Sequence, residues 1–257
     1  MELIQLSILP KIMNELEDLE SVTICLPVLN ESDVISKVIL EWIQVVNNLA
    51  NNSIILIEDG GSTDGTVAII ETLQSKFQGK IKLVLREKPD GFGNSAKRLL
   101  NLAESKWVFF TDSDGQYVAE EFWLLWNRRS GKDFVRGIKL GRKDPLTRRI
   151  SSLFWNKTVN FLFELPVHDV NAAFLLIRKD SLNILLPQVR ILKTMVLSEL
   201  IIRAVMENMN YGQDVYVKHR ARSNGKSRAT PGIKFLATGI KQVRGLFLIK
   251  KDYRIKF

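Results

Sequence analysis

Cysteine occurs once in this chain, at Cys25, so an internal disulfide is excluded and a reducing compartment fits. Histidine is nearly as scarce. His168 and His219 have no partner cluster of imidazoles or thiols, which makes both poor zinc ligands. No uncharged apolar run reaches the roughly 18 residues of a membrane span, so no spanning helix is expected. The opening segment, from Met1 to Pro10, is apolar but lacks a basic lead and soon meets Glu15, Glu17, Asp18 and Glu20, so no signal peptide is expected. Internal repeats and low-complexity tracts are absent. Gly91-Phe92-Gly93 has no third glycine at the required spacing and does not open the first strand–helix unit, so a dinucleotide fingerprint is lacking. Helix-turn-helix, zinc-finger and aromatic-strand motifs are lacking too, which leaves a basic nucleic-acid-binding module as the weakest reading.

Acids are rare in one region only. From Lys218 onward there are 12 Lys or Arg against the single acid Asp252, a balance of +11, so the net +9 of the 257 residues leaves about −2 for the rest. A basic tail of this kind meets anionic lipid, phosphate groups or nucleic acid, or is simply a solvated face. The overall composition, 46% hydrophobic and 25% charged, is that of an ordinary globular domain long enough for a full α/β core.

The most informative stretch is Asp112-Ser113-Asp114-Gly115-Gln116. It follows Trp107-Val108-Phe109-Phe110-Thr111, an apolar run of β-formers that reads as a buried strand. Side chains alternate along extended backbone, so two acids one residue apart point the same way. Two hard oxygen ligands at a strand end suit Mg²⁺ or Mn²⁺, which would hold a diphosphate; the plainer reading is an acidic turn.

Strand-like and helix-like segments alternate over the first 130 residues: strands at 22–27, 54–57, 81–85 and 107–111, helices at 32–49, 66–77 and 95–104, with Ser32 as a helix cap. This order predicts an α/β fold, a mostly parallel sheet with helices on both faces. Right-handed crossovers would gather the loops 27–31, 58–64, 88–94 and 112–116 at one sheet edge, where α/β folds bind ligands. Beyond residue 130 the pattern predicts strands at 133–138, 174–177 and 213–219. It also predicts helices at 147–163, with Ile150, Phe154, Val159 and 161–163 available for burial, and at 196–209.

These residues together resemble an inverting, nucleotide-sugar-dependent glycosyltransferase of family 2 with the GT-A fold, over roughly residues 22–227. The nearest flavour is the dolichol-phosphate mannose synthase and polyprenyl-phosphate glycosyltransferase branch. The resemblance is carried by Leu26-Pro27-Val28-Leu29-Asn30-Glu31, by Asp59 to Thr66, and by Asp112 to Gln116. It continues in Arg148 with Ser152, in Asp169-Val170-Asn171-Ala172-Ala173-Phe174, and in the stretch from His219 to Ser227. It implies that Pro27, Asn30, Glu31 and Asp59 shape the nucleoside pocket, although Asp59 and Ser62 also fit turn and capping chemistry. It implies that Asp112, Asp114 and Gln116 surround the Mg²⁺ or Mn²⁺, that Arg148, Arg222 and Lys226 meet donor or acceptor phosphates, and that Ser152, His219 and Ser227 belong to the substrate-binding set, His219 as a hydrogen-bonding group at the site edge. Asp169 becomes the first candidate for orienting the acceptor or taking a proton. Glu199 matches the base of hydroxyl-transferring relatives, or holds loops. The sequence departs from the family at Gly60, where many relatives carry a second acid, and at Ala173, where glycine is usual.

The resemblance implies a UDP- or GDP-linked sugar donor and a polyprenyl- or dolichyl-phosphate-type acceptor. A saccharide or other hydroxyl acceptor is the alternative. Three parts are expected: an N-terminal extension at 1–20, helical; the catalytic domain at 21–228; and a basic amphipathic helix at 229–257. In the last, Ile233, Leu236, Ile240, Val243 and Phe247 fall at helical spacing among lysines and arginines, as on a helix lying on an anionic membrane or packed on the domain. The expected location is the cytoplasm, peripheral on the cytoplasmic face of a membrane.

Overall fold

The computed structural model describes residues 21–140, 146–165, 169–221 and 233–256. The expected extension at 1–20 lies outside them. Seven strands form one sheet: β1 (Val22–Val28), β2 (Ile54–Asp59), β3 (Ile81–Leu85), β4 (Trp107–Thr111), β5 (Phe134–Leu140), β6 (Phe174–Arg178) and β7 (Val215–Lys218). Their spatial order is β3-β2-β1-β4-β6-β5-β7. The first four are mutually parallel, β6 runs antiparallel to both its neighbours, and β7 is parallel to β5. The helices are α1 (Ile35–Val46), α2 (Thr66–Lys76), α3 (Phe92–Leu102), α4 (Phe122–Trp126), α5 (Leu146–Phe163), α6 (Lys179–Leu185), α7 (Val196–Met206) and α8 (Ile233–Lys256).

The central strands read as unbroken apolar runs because both sheet faces are covered. Phe109 of β4 meets Trp42 of α1 and Phe122 of α4 on one face, with ring centroids 5.2 and 5.1 Å away. Its neighbour Phe110 points the opposite way, edge-on to Phe92 of α3 at 6.0 Å. Cys25 is fully buried in β1 beside α3, where burial pushes its thiol pKa up and Lys179 only partly counters it.

The first strand–helix units follow the sequence pattern closely, with two boundary corrections. α1 begins at Ile35, after Val34 and without a side-chain cap; Ser32 instead gives both its amide, at 3.2 Å, and its hydroxyl to the Asp64 carboxylate. α3 begins at Phe92, three residues before the expected Ser95, so the glycine loop itself enters the helix. Gly93 makes this possible: a Cβ there would lie 1.8 Å from the Lys193 carbonyl oxygen, so only glycine lets α3 approach the segment before α7.

Past residue 130, three expectations change. The segment at 174–177 is an antiparallel strand inserted beside β4, a direction that an apolar run does not encode. On α5 the buried residues are Trp155, Val159 and Leu162, whereas Ile150, Phe154 and Phe161 are exposed. α8 packs on the domain through Gln242, Leu246 and Ile249, residues outside the apolar spacing read from the sequence, and leaves Phe247 outside. Lys250 caps the contact by donating to the Leu162 carbonyl of α5 at 2.7 Å.

Candidate active site

The sheet order reverses between β1 and β4, whose connections leave in opposite directions, and that opens a crevice at their carboxyl ends. Antiparallel β6 delivers another segment to the same edge, because its first residue, Phe174, pairs with Thr111, the last of β4. β7 runs parallel to β5 and ends there too, so His219 bridges to Tyr117 just beyond the acidic pair. The topology thus gathers the residues around 27–31, 59–66, 112–117, 169–173 and 219–221.

The loops after β1 and β2 are sewn together. Asn30, in the left-handed region at φ 47°, donates its amide to the Ser62 hydroxyl at 2.7 Å and accepts the Thr63 amide on its side chain at 2.7 Å. The Glu31 amide donates to the Thr66 hydroxyl at 2.9 Å. Asp59, buried at the end of β2, accepts the amides of Gly61 and Ser62 at 3.0 and 2.8 Å, and the Ser62 hydroxyl as well. These are the bonds of an Asx-type turn. Ser62 does not cap α2, whose N-cap is Gly65. Gly61 is required twice over, by φ 91° and by a Cβ position 2.9 Å from the Lys88 backbone. Burial draws the Asp64 carboxyl upward, but the Thr66 and Ser32 donors outweigh it and hold the pKa down at about 2.

Asp112 and Asp114 flank a residue that turns inward. The buried Ser113 donates its hydroxyl to the Pro27 carbonyl at 2.7 Å, while the acids on either side are half-exposed. Asp114 accepts the Gln116 amide at 3.1 Å. Gln116 gives its side-chain NH₂ to the Arg220 carbonyl at 3.2 Å and accepts the Arg220 amide on its own carbonyl at 2.7 Å. Its amide oxygen is therefore the ligand atom it could turn to a cation. Among the described residues no three His, Cys, Asp or Glu gather into a closed metal cage. An open pair of carboxylates nevertheless fits Mg²⁺ or Mn²⁺, which complete their shells with substrate phosphate and water.

Asp169 is buried with φ 47°, a conformation Asp tolerates, and its carbonyl accepts the Ala172 amide at 3.0 Å. Arg136 of β5, almost wholly buried, reaches that carbonyl at 3.5 Å and pairs with Asp214 at 2.9 Å. α5 holds the segment from behind: Asn156 accepts the Val170 amide at 3.0 Å, and Ser198 links Trp155 to Asn171 through two 3.3 Å bonds. Ser152 is half-buried on α5, and Arg148 lies one turn earlier on the same helix. His219 is buried edge-on to Tyr117 at 5.1 Å. Arg222, Lys226 and Ser227 lie outside the described residues, as does His168.

Glu199 belongs to a different cluster. Fully buried in α7, it accepts the amides of Arg190, Ile191 and Leu192 at 3.1, 2.8 and 2.6 Å and pairs with Arg203 at 2.9 Å. Arg203 reaches on to Asp252 of α8 at 3.2 Å. This geometry holds a loop.

Sequence reading missed the buried Arg136 and a second bridge, in which Arg98 joins buried Glu58 and loop residue Asp90, each at 2.5 Å. The signal for Arg136 was a lone arginine inside the apolar run of β5. Arg98 gave none, since an arginine on an amphipathic helix is ordinary.

A family profile described as Glycosyl transferase family 2 matches residues 23–185, from β1 to the end of α6. The undecaprenyl-phosphate 4-deoxy-4-formamido-L-arabinose transferase of Edwardsiella ictaluri (strain 93-146) is 25% identical over 145 residues, 56% of this chain. The chain spans only 45% of that relative's length. Among solved structures, glucosyl-3-phosphoglycerate synthase from Mycobacterium tuberculosis, in complex with Mn²⁺, UDP and glucosyl-3-phosphoglycerate, aligns with a TM-score of 0.63 at 18% identity, over 90% of this chain and 80% of its own. Mannosyl-3-phosphoglycerate synthase from Rubrobacter xylanophilus aligns with a TM-score of 0.60 at 13% identity, over 91% and 74%. At such identities the structures show a common fold, while the profile covers more than half of the chain, so this protein belongs to glycosyltransferase family 2 and has the GT-A fold.

Proposed function

We propose that the protein transfers a sugar from a UDP- or GDP-linked donor to a polyprenyl-phosphate-type lipid, with inversion at the anomeric carbon. The observation that carries the reading is the pairing of Thr111 with Phe174, which sets the Asp112/Asp114 pair and the Asp169 segment on one crevice. Asp112 and Asp114, with the Gln116 amide oxygen, would hold Mg²⁺ or Mn²⁺. When bound, the ion supplies Lewis-acid stabilisation of the negative charge that develops on the departing diphosphate. Pro27, Asn30, Glu31 and Asp59 shape the wall for the nucleoside. Arg148, Arg222 and Lys226 are assigned to donor or acceptor phosphate, and Ser152, His219 and Ser227 to substrate binding beside them.

An acceptor phosphate oxygen attacks the anomeric carbon as the bond from that carbon to the donor diphosphate breaks. The nucleoside diphosphate leaves with the electron pair. An anionic acceptor already carries its nucleophile, so positioning matters more than proton removal. Asp169 is given that positioning role. The saturation of Glu199 by three amides and Arg203 supports an acceptor that needs no base there. The Edwardsiella relative, named for transfer to undecaprenyl phosphate, and the basic C-terminal region support a lipid acceptor at the cytoplasmic face of a membrane. Among the described residues no helix is long and apolar enough to cross one.

A second reading keeps the donor and uses a hydroxyl acceptor, with Asp169 as base; the presence of this carboxylate at the crevice favours it. Labelled sugar decides between them. Product extracted into organic solvent supports the lipid, and product that stays in water overturns it.

A further inference from the structure

α5 turns an apolar stripe outward. Ile150, Leu153, Phe154 and Phe161 are exposed, with Phe161 at 84% and Phe154 at 64%, and Lys157 lies between the two rings. The spacing, three, four, seven and eleven residues on from Ile150, keeps all of them on one side of the helix. The opposite side carries Trp155, Val159 and Leu162 into the core. Neighbouring α8, tied to α5 by Lys250, adds an outward band of Lys241, Arg244, Phe247, Leu248 and Lys251. Its one acid, Asp252, is occupied by Arg190 and Arg203 at 2.8 and 3.2 Å.

We infer that the outward stripe of α5 is the surface by which this protein docks on an anionic lipid bilayer, an inference that rests on the lipid-acceptor reading. Two features select this occupant. Aromatic and aliphatic side chains flanked by lysine and arginine are the pattern of a helix lying in the headgroup region, where rings insert and cationic heads stay with the phosphates. A second copy of the chain is disfavoured, because joining like faces would oppose the basic bands of two α8 helices. Trp155 and Asn156 on α5 hold the Asn171 and Val170 segment, so the helix that rests on lipid also braces the wall assigned to the acceptor.

Full-length protein is sedimented with vesicles of equal parts phosphatidylglycerol and phosphatidylcholine, containing no polyprenyl phosphate, and with phosphatidylcholine alone. Wild type is expected to pellet with the anionic vesicles, less so as salt rises. Combining Phe154→Ser with Phe161→Ser should lower vesicle affinity about tenfold or more, as withdrawing two partly inserted rings requires. Leu85→Ser, a comparably exposed residue on β3, should change nothing. Undiminished pelleting of the double variant overturns the surface. So does a wild-type dimer in solution that the same two substitutions dissolve. Pelleting lost by the double variant while wild-type product stays in water would overturn the lipid acceptor and leave the docking surface standing.

Discussion

Ser113 donates its hydroxyl to the Pro27 carbonyl at 2.7 Å and so fastens the end of β4 to the end of β1 across the crevice. The bond pins the bend that follows β4, with buried Ser113 at its centre and half-exposed Asp112 and Asp114 on either side. The acidic pair is thus carried on a loop that is fastened at its middle.

For that reason Asp114→Asn should remove function without removing the fold. The side chain is half-exposed and near-isosteric with its replacement, so the melting temperature should shift by only a few degrees. Sugar transfer should fall on the order of 100-fold or more, the scale of losing one electrostatic stabiliser of a developing oxyanion. Turnover assayed with Mn²⁺ on protein of confirmed melting behaviour checks it. Wild-type rates in the variant would dismiss the metal role.

Glu199→Ala should behave in the opposite way. Removing the carboxylate strips three amides and the Arg203 guanidinium of their common partner inside the protein. Breaking a buried pair from one side typically costs about 3–5 kcal/mol, so denaturant midpoints should drop sharply. The pH profile of the activity that survives should keep its wild-type shape. Loss of an acidic limb from that profile at unchanged stability would instead mark Glu199 as the base.

Much of this was legible in the chain itself. The runs at 22–27 and 107–111 announce buried parallel strands because no charge interrupts them and β-branched and aromatic residues dominate. What stayed hidden is long-range or direction-dependent. Phe174-Leu175-Leu176-Ile177 is as apolar as any parallel strand, so its reversal beside β4 left no local trace. Arg136 and Asp214 are 78 residues apart, beyond any spacing rule. α5 is apolar on two sides, which allowed Phe154 and Phe161 to be mistaken for core while Trp155 took that place. In α8 periodicity marked an apolar face but not which side meets the domain: Leu246 is buried there, and Phe247 is exposed.

Acid should loosen the loops after β1 and β2 in a defined window. Asp64 titrates at about 2 in the folded chain, against 3.8 for an ordinary aspartate. A carboxyl whose folded pKa is depressed contributes stability that is complete above the ordinary value and is lost as pH falls through the folded one. The Thr66 and Ser32 bonds should therefore weaken between about pH 4 and pH 2. Asp64→Asn should be less stable at neutral pH and show a flatter stability curve across that window. Parallel curves for the two proteins would show that the bond network contributes nothing.

Donor choice should be readable as heat stability. A ligand that binds only the folded chain stabilises it by mass action, about 2.7 kcal/mol when present at a hundred times its dissociation constant. If Asp112 and Asp114 grip the diphosphate through a cation, a nucleotide sugar should raise the melting temperature with Mn²⁺ and lose most of that gain in chelator. The base should matter as well, because the wall from Pro27 to Glu31 and Asp59 is fixed by its own hydrogen bonds and has little freedom to remodel. A panel of UDP- and GDP-linked sugars, each with Mn²⁺ or with chelator, should therefore single out one nucleotide series. A gain in chelator as large as the gain with Mn²⁺ would mean that the carboxylate pair takes no part in binding.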